Sequence, residues 1–301
     1  MYPSALKPSK EALRKLALAL LPEISELIHL LKEGDGHVRF PEKIRSAIER
    51  LKVSGYVSLY EGESRILFAY SKCLGMEKAD LDELNALDLL PYEKQQAYLD
   101  DFIDDATSQE MQDAMDNAFD FDEESANDRF LDMTPEEQQI SITRAQHFLL
   151  FFLASFHNYL AIMIHGKKMT QLVPEAMQGN RESFLMAIHI DRSLLSNHPY
   201  FSAARLRASE TRDLEFLRKI AYREQSPTMR GRIQYPTLWT LFSILDGLNA
   251  LDGVFTHGEI LDLCDEAQIH RTENRIEDVG YLTKRIRDFR RFQKTGGVSM
   301  H

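Results

Sequence analysis

Cysteine is nearly absent. The 301 residues hold two, Cys73 and Cys264, far apart and without the paired spacing of a metal site. That excludes a disulfide framework and fits a chain kept in a reducing compartment. Glycine-rich phosphate loops are missing: neither Gly-x-x-x-x-Gly-Lys-Ser/Thr nor Gly-x-Gly-x-x-Gly occurs, so nothing proposes nucleotide binding. Positive charge is in deficit, with 36 Lys and Arg against 47 Asp and Glu and a net charge of −11. Such a balance argues against a surface that coats nucleic acid everywhere, but it leaves room for a local basic patch. Long apolar runs are scarce too. Phe148 to Ile164 (FLLFFLASFHNYLAIMI) carries His157 and Asn158 near its middle and is shorter than the ~20 residues a spanning helix needs. A buried central helix is therefore expected there, not a membrane span. The opening residues MYPSALKPSKEALRK lack the apolar stretch of a secretory signal. A cytoplasmic location is the resulting expectation.

What the chain does have is helix signal. Its apolar content of 44% is enough for a real core, and its length allows one large domain or two ordinary ones. In residues 10–33, Leu13, Ala17, Leu20, Ile24, Leu27 and Leu31 recur at helical spacing, with Pro22 inside the run. This stripe suits a partner helix as well as the core, so a homo-oligomer is compatible with it. Pro41 fits the first turn of a helix to about Val53. Thr134-Pro135-Glu136-Glu137 is a capping box that opens a helix ending at His165, with Gly166 as its stop. Shorter helices are expected over 181–196, 199–208, 212–224 (capped by Thr211), 237–251, 257–267 (a second capping box at Thr256 and Glu259) and 273–292.

Residues 56–70 carry the one β signal: YVSLY, a turn EGES, then RILFAY. Helix followed by hairpin is the layout of a winged helix, with Arg45, Arg50 and Lys52 on or near its third helix. A helix through 65–75 is the competing assignment. The expected architecture is mainly α: a multi-helical bundle or array around a long central helix (about 135–165), with a small winged-helix-like N-terminal module containing one β-hairpin (56–70). The expected divisions are 1–75 as that module, 76–133 as an acidic segment, and 134–301 as a helical domain with a basic C-terminal helix.

Two strings carry candidate chemistry. Asp100-Asp101-Phe102-Ile103-Asp104-Asp105 places carboxylates four apart on a helix face. It resembles the aspartate-rich DDxxD motif of isoprenyl diphosphate and terpene synthases, and the resemblance implies Mg²⁺–diphosphate chemistry. It covers six residues, and no second aspartate-rich motif of the family's form follows. The stretch Asp100–Asp132 holds thirteen Asp or Glu and one base, Arg129, so composition alone generates such strings. Arg192 and His198, with five residues between them, resemble the Arg-x₄₋₆-His motif of HEPN-type ribonucleases. That resemblance implies RNA cleavage by the pair, although Pro199 forces His198 out of helical geometry. The histidines are otherwise dispersed, as with His157 and His165, and no metal or cofactor is called for.

The last third of the chain is basic. The final helix carries Arg271, Arg275, Lys284, Arg285, Arg287, Arg290, Arg291 and Lys294, and 205–232 carries a second set that includes Arg205, Arg218 and Arg230. A basic helix can contact phosphates. Residues 237–292 read as helix, short turn, capped helix and basic helix, which is helix-turn-helix-like. Against this stands a C-terminal helix whose cations suit its own dipole and pair with the acidic segment. The expected function is non-enzymatic binding of nucleic acid or a partner protein. The alternative is an all-α enzyme acting at Asp100–Asp105 or at Arg192 and His198.

Overall fold

The long helix begins and ends where its caps dictate. In a computed structural model that describes residues 8–33, 42–51, 55–74, 86, 89–109, 130–228, 235–269 and 278–295, it runs Pro135–His165. The Thr134 hydroxyl accepts the Glu137 N–H, and Glu137 in turn accepts the Thr134 N–H at 2.8 Å. At the other end Gly166 takes the left-handed conformation, φ 67°, that a side chain would strain. From Leu153 to Ile164 nearly every residue is buried, so helices surround it.

The described residues form thirteen α-helices and one 3-10 segment, with no strand. In chain order they are α1 (Lys10–Glu33), α2 (Glu42–Leu51), the 3-10 segment Gly55–Glu61, α3 (Glu63–Leu74), α4 (Tyr92–Ala106), the spine α5 (Pro135–His165) and α6 (Met169–Met177). Then follow α7 (Arg181–Ile190), α8 (Leu194–Asn197), α9 (Pro199–Glu210), α10 (Leu214–Gln225), α11 (Pro236–Gly247), α12 (His257–Glu266) and α13 (Val279–Thr295). The protein is thus a multi-helical array around α5. Among the described residues α5 is the one helix long and apolar enough to cross a membrane, and 56% of its apolar window is buried inside the protein.

The β-hairpin expected at 56–70 is absent, and with it the wing. Tyr56, Val57, Leu59 and Tyr60 are all buried, a spacing of one, three and four that winds a chain rather than alternating it. Ile66, Ala69 and Tyr70 then face α5 at helical spacing, with the Tyr70 and Phe151 rings 5.0 Å apart. Of the cations assigned to that module, Arg45 is exposed on α2. The side chains of Arg50 and Lys52 lie outside the described residues.

Helix α1 is continuous through Pro22, which lies on its exposed side. Of its expected stripe Leu13 and Ala17 are buried, Leu20 and Ile24 are half-buried, and the side chains of Leu27 and Leu31 lie outside the described residues; Leu21 is buried as well, and the helix packs against α11. Ion pairs seal the edges: Lys10 to Glu259 at 2.9 Å, Lys15 to Asp104 at 2.9 Å, and Arg14 to Glu266. One apolar core runs from Leu13 to Phe292, with contributions from both sides of residues 75 and 133. Around the far end of the spine, Phe184 of α7 meets Phe201 of α9 at 4.5 Å and Phe216 of α10 at 5.3 Å. Asp213 caps α10 through the Phe216 N–H, whereas Thr211, the expected cap, closes α9.

Candidate functional site

The C-terminal helix separates its charges by face. With 3.6 residues per turn, spacings of three, four and three bring Lys284, Arg287, Arg291 and Lys294 to one side of α13. All four are exposed. The opposite side holds Leu282, Ile286, Phe289 and Phe292, all buried. Helix α13 packs against α5, α11 and α12, with Trp239 of α11 4.7 Å from Phe292 and 6.0 Å from Phe289. Gln293 fastens it further by donating to the Ile162 carbonyl and to Asp246, each at 2.9 Å.

The remaining basic residues of α13 are consumed internally. Arg290 pairs with Asp246 at 2.8 Å and with Asp252, and donates to Gln293 at 2.8 Å. Arg285 pairs with Asp288 at 3.0 Å, its side chain only 11% exposed, and its guanidinium lies 4.5 Å from the ring centres of both Tyr235 and Tyr281. Arg291 reaches Asp288 only at 3.9 Å and is 72% exposed. Arg271 and Arg275 lie outside the described residues. Of the eight basic residues singled out on the final helix, the structure therefore brings Lys284, Arg287, Arg291 and Lys294 together on open surface. The row follows from helical spacing. The contact of Arg285 with Tyr281, four residues before it on α13, follows from the same spacing, whereas its contact with Tyr235, at the start of α11, does not.

The two catalytic strings are built into packing. On α4, Asp100 accepts the Ser9 N–H at 2.8 Å and Asp104 pairs with Lys15, while Asp101 and Asp105 are exposed. Asp100 and Asp104 thereby tie α4 to the start of α1. No metal-holding group of His, Cys, Asp and Glu occurs among the described residues. Arg192 donates to the Ser226 carbonyl. His198 is buried, caps α9 by accepting the Tyr200 N–H, and lies 3.3 Å from Glu61. Arg192 is thus held by the Ser226 carbonyl and His198 by Glu61 and the start of α9.

A buried polar cluster joins three elements at the spine. The Tyr60 hydroxyl donates to Asp191 at 3.0 Å and lies 2.7 Å from His157 Nδ1. Since the phenol has one proton, His157 Nδ1 carries its own and donates to the phenol oxygen. Burial, reinforced by the Asp191 charge, pushes the Tyr60 hydroxyl far above its usual range. Burial also lowers His157, against the pull of Asp191. Both are neutral, closed off from solvent, and structural.

A second polar pair joins half-buried His165 to buried His189. His189 Nε2 faces the Pro227 carbonyl at 2.9 Å and so carries its proton, leaving Nδ1 to accept from His165 Nε2 at 3.1 Å. Burial, then the neighbouring His189 and Arg223, hold His165 well below the ordinary histidine value of 6.5. The unfolded chain therefore binds protons that the folded chain refuses. Stability is full above about pH 6.5 and falls as pH drops below it. The urea midpoint is expected to fall between about pH 7.5 and pH 5.5, and to fall less in His165→Gln. Equal midpoints at the two pH values would contradict this.

One open groove of about 450 Å³ lies between α3 and α5, lined by Leu59, Arg65, Phe68, His147 and Leu150 among others. Arg65 is already paired with Glu61 at 2.7 Å and donates to the Ser58 carbonyl, so the groove offers no free charge for a ligand. Comparison with protein-family models, curated proteins and solved structures returns no match for this chain.

Proposed function

We propose that this chain is a cytoplasmic, non-enzymatic binding protein that engages nucleic acid through the exposed face of α13. The observation that carries this reading is the row Lys284, Arg287, Arg291 and Lys294 on a helix whose opposite face is anchored in the core. Four cations on one rigid face present a charge pattern complementary to a phosphate backbone. In a chain of net charge −11 such a row is local, so it directs an anionic ligand to one place. α11, α12 and α13 supply a helix-turn-helix-like support for it.

Fluorescence anisotropy with a labelled oligonucleotide of about 20 nucleotides tests this. Four neutralised phosphates predict that raising salt from about 50 to about 200 mM weakens binding by roughly 50-fold for a single strand and roughly 150-fold for a duplex. Lys284→Glu, Arg287→Glu and Arg291→Glu combined should abolish binding while leaving the melting curve near wild type, since none of the three packs in the core. Retained affinity in that variant, or no binding by the wild-type chain, would overturn the proposal.

A further inference from the structure

Beside the cationic row stands an aromatic pair whose geometry is fixed more tightly than packing requires. Tyr281 precedes Lys284 by three residues, so the two are neighbours along the surface of α13. The Tyr281 hydroxyl donates to the Tyr235 hydroxyl at 3.3 Å, and the Arg285 guanidinium lies 4.5 Å from both ring centres. Asp288 holds that guanidinium at 3.0 Å, and Asp278 accepts the Tyr281 N–H at 2.7 Å. Both tyrosines are half-buried: their bodies rest on the core and part of each remains open to solvent. Arg285 is too enclosed to serve a ligand, its side chain only 11% exposed. Its two cation–π contacts fix the rings in place.

We infer that Tyr281 and Tyr235 form a stacking platform for an unpaired base, and that the ligand of α13 is single-stranded nucleic acid. This rests on the reading of α13 as a nucleic-acid surface and deepens it. Single strands are held by cations that track the backbone together with aromatic side chains on which bases stack. A duplex hides its base faces, so preformed rings add nothing to duplex binding. An acidic peptide would match the cations but has no use for the rings. The row Lys284, Arg287, Arg291 and Lys294 holds phosphates, and the pair at its N-terminal end takes a base.

The test is anisotropy of the full chain with a mixed-sequence single strand of about 20 nucleotides and with the duplex of the same sequence. The single strand is expected to bind tighter. Tyr281→Leu keeps an apolar body against the core without a π face, and should weaken single-strand binding about 5- to 150-fold while leaving duplex binding unchanged. Tyr281→Phe should retain the single-strand affinity. Melting curves of each variant, run alongside, separate lost stacking from lost folding. Equal affinity for strand and duplex, or a Tyr281→Leu variant that melts like wild type and binds the strand equally well, overturns the platform while leaving the cationic row intact. Failure of the wild-type chain to bind either ligand overturns the row and the platform together.

Discussion

Asp191→Ala should cost about 3 kcal/mol of folding free energy, a large share of the roughly 5–15 kcal/mol typical of a native chain. Asp191 is 5% exposed and accepts two hydrogen bonds, from the Tyr60 hydroxyl at 3.0 Å and from the Ser193 N–H at 2.9 Å. Tyr60 is wholly buried, and once the carboxylate is gone its proton finds an acceptor at His157 Nδ1 only if the neutral imidazole moves its own proton to Nε2. Alanine therefore deprives a buried hydroxyl and a part-buried amide of an acceptor that bore charge. Asp191→Asn keeps an oxygen for Ser193 but turns an amide toward Tyr60, and should fall between alanine and wild type. Tyr60→Phe removes the donor along with its partner's bond and should cost less than Asp191→Ala. Urea unfolding followed by circular dichroism measures all three. An Asp191→Ala variant within about 1 kcal/mol of wild type would show that water or a shifted side chain replaces the carboxylate.

The location of that cluster explains the largest departure from expectation. Tyr56 and Tyr60 belong to the stretch that reads as a hairpin strand, yet Tyr56 bonds Ser193 at 2.8 Å and Tyr60 bonds His157 and Asp191. Tyrosine, valine and leucine favour strands only as far as a pleated surface is available to receive them. Here the receiving surface is one side of α5 and the end of α7, and the segment winds to place both hydroxyls inward. No local signal in 56–70 encodes partners about 100 to 140 positions away. The capping boxes at Thr134 and Thr256, and the glycine stop at 166, were legible for the opposite reason. Each is completed within four residues, so the sequence displays the whole interaction. Helix α6 escaped notice because Pro174 sits inside its nine residues and argues locally for a break.

The same contrast divides the basic helix. That α13 has a cationic face is periodicity, and it could be read directly. Which cations remain free is tertiary. Arg290 is neutralised by Asp246 at the end of α11 and Asp252 in the loop after it, and Arg285 is enclosed by a tyrosine 46 positions before Tyr281. A count of arginines therefore overstates the surface, and the exposed row is shorter and better ordered than the sequence implies.

Phe289→Ala should be the most damaging substitution in α13, costing about 3–5 kcal/mol. The ring is fully buried, 5.6 Å from Phe242 and 6.0 Å from Trp239. The surrounding side chains come from α11 and α13, and both helices are pinned to α5 by other contacts, so the site can close only partly around the missing ring. Phe289→Leu retains most of the volume and should cost less than about 1.5 kcal/mol. The comparison also separates stability from binding, because Phe289 and the row at Lys284, Arg287 and Arg291 lie on opposite faces of one helix. In Phe289→Leu the row stays on a docked helix, and affinity for nucleic acid should match wild type. In Phe289→Ala, hydrogen exchange should accelerate first in α13 and in the turns of α11 facing it, and affinity should fall as the row loses its rigid support. Unchanged exchange in α13 of the alanine variant would mean that Gln293 and Phe292 suffice to hold the helix, and that the aromatic stack is not what fixes the surface.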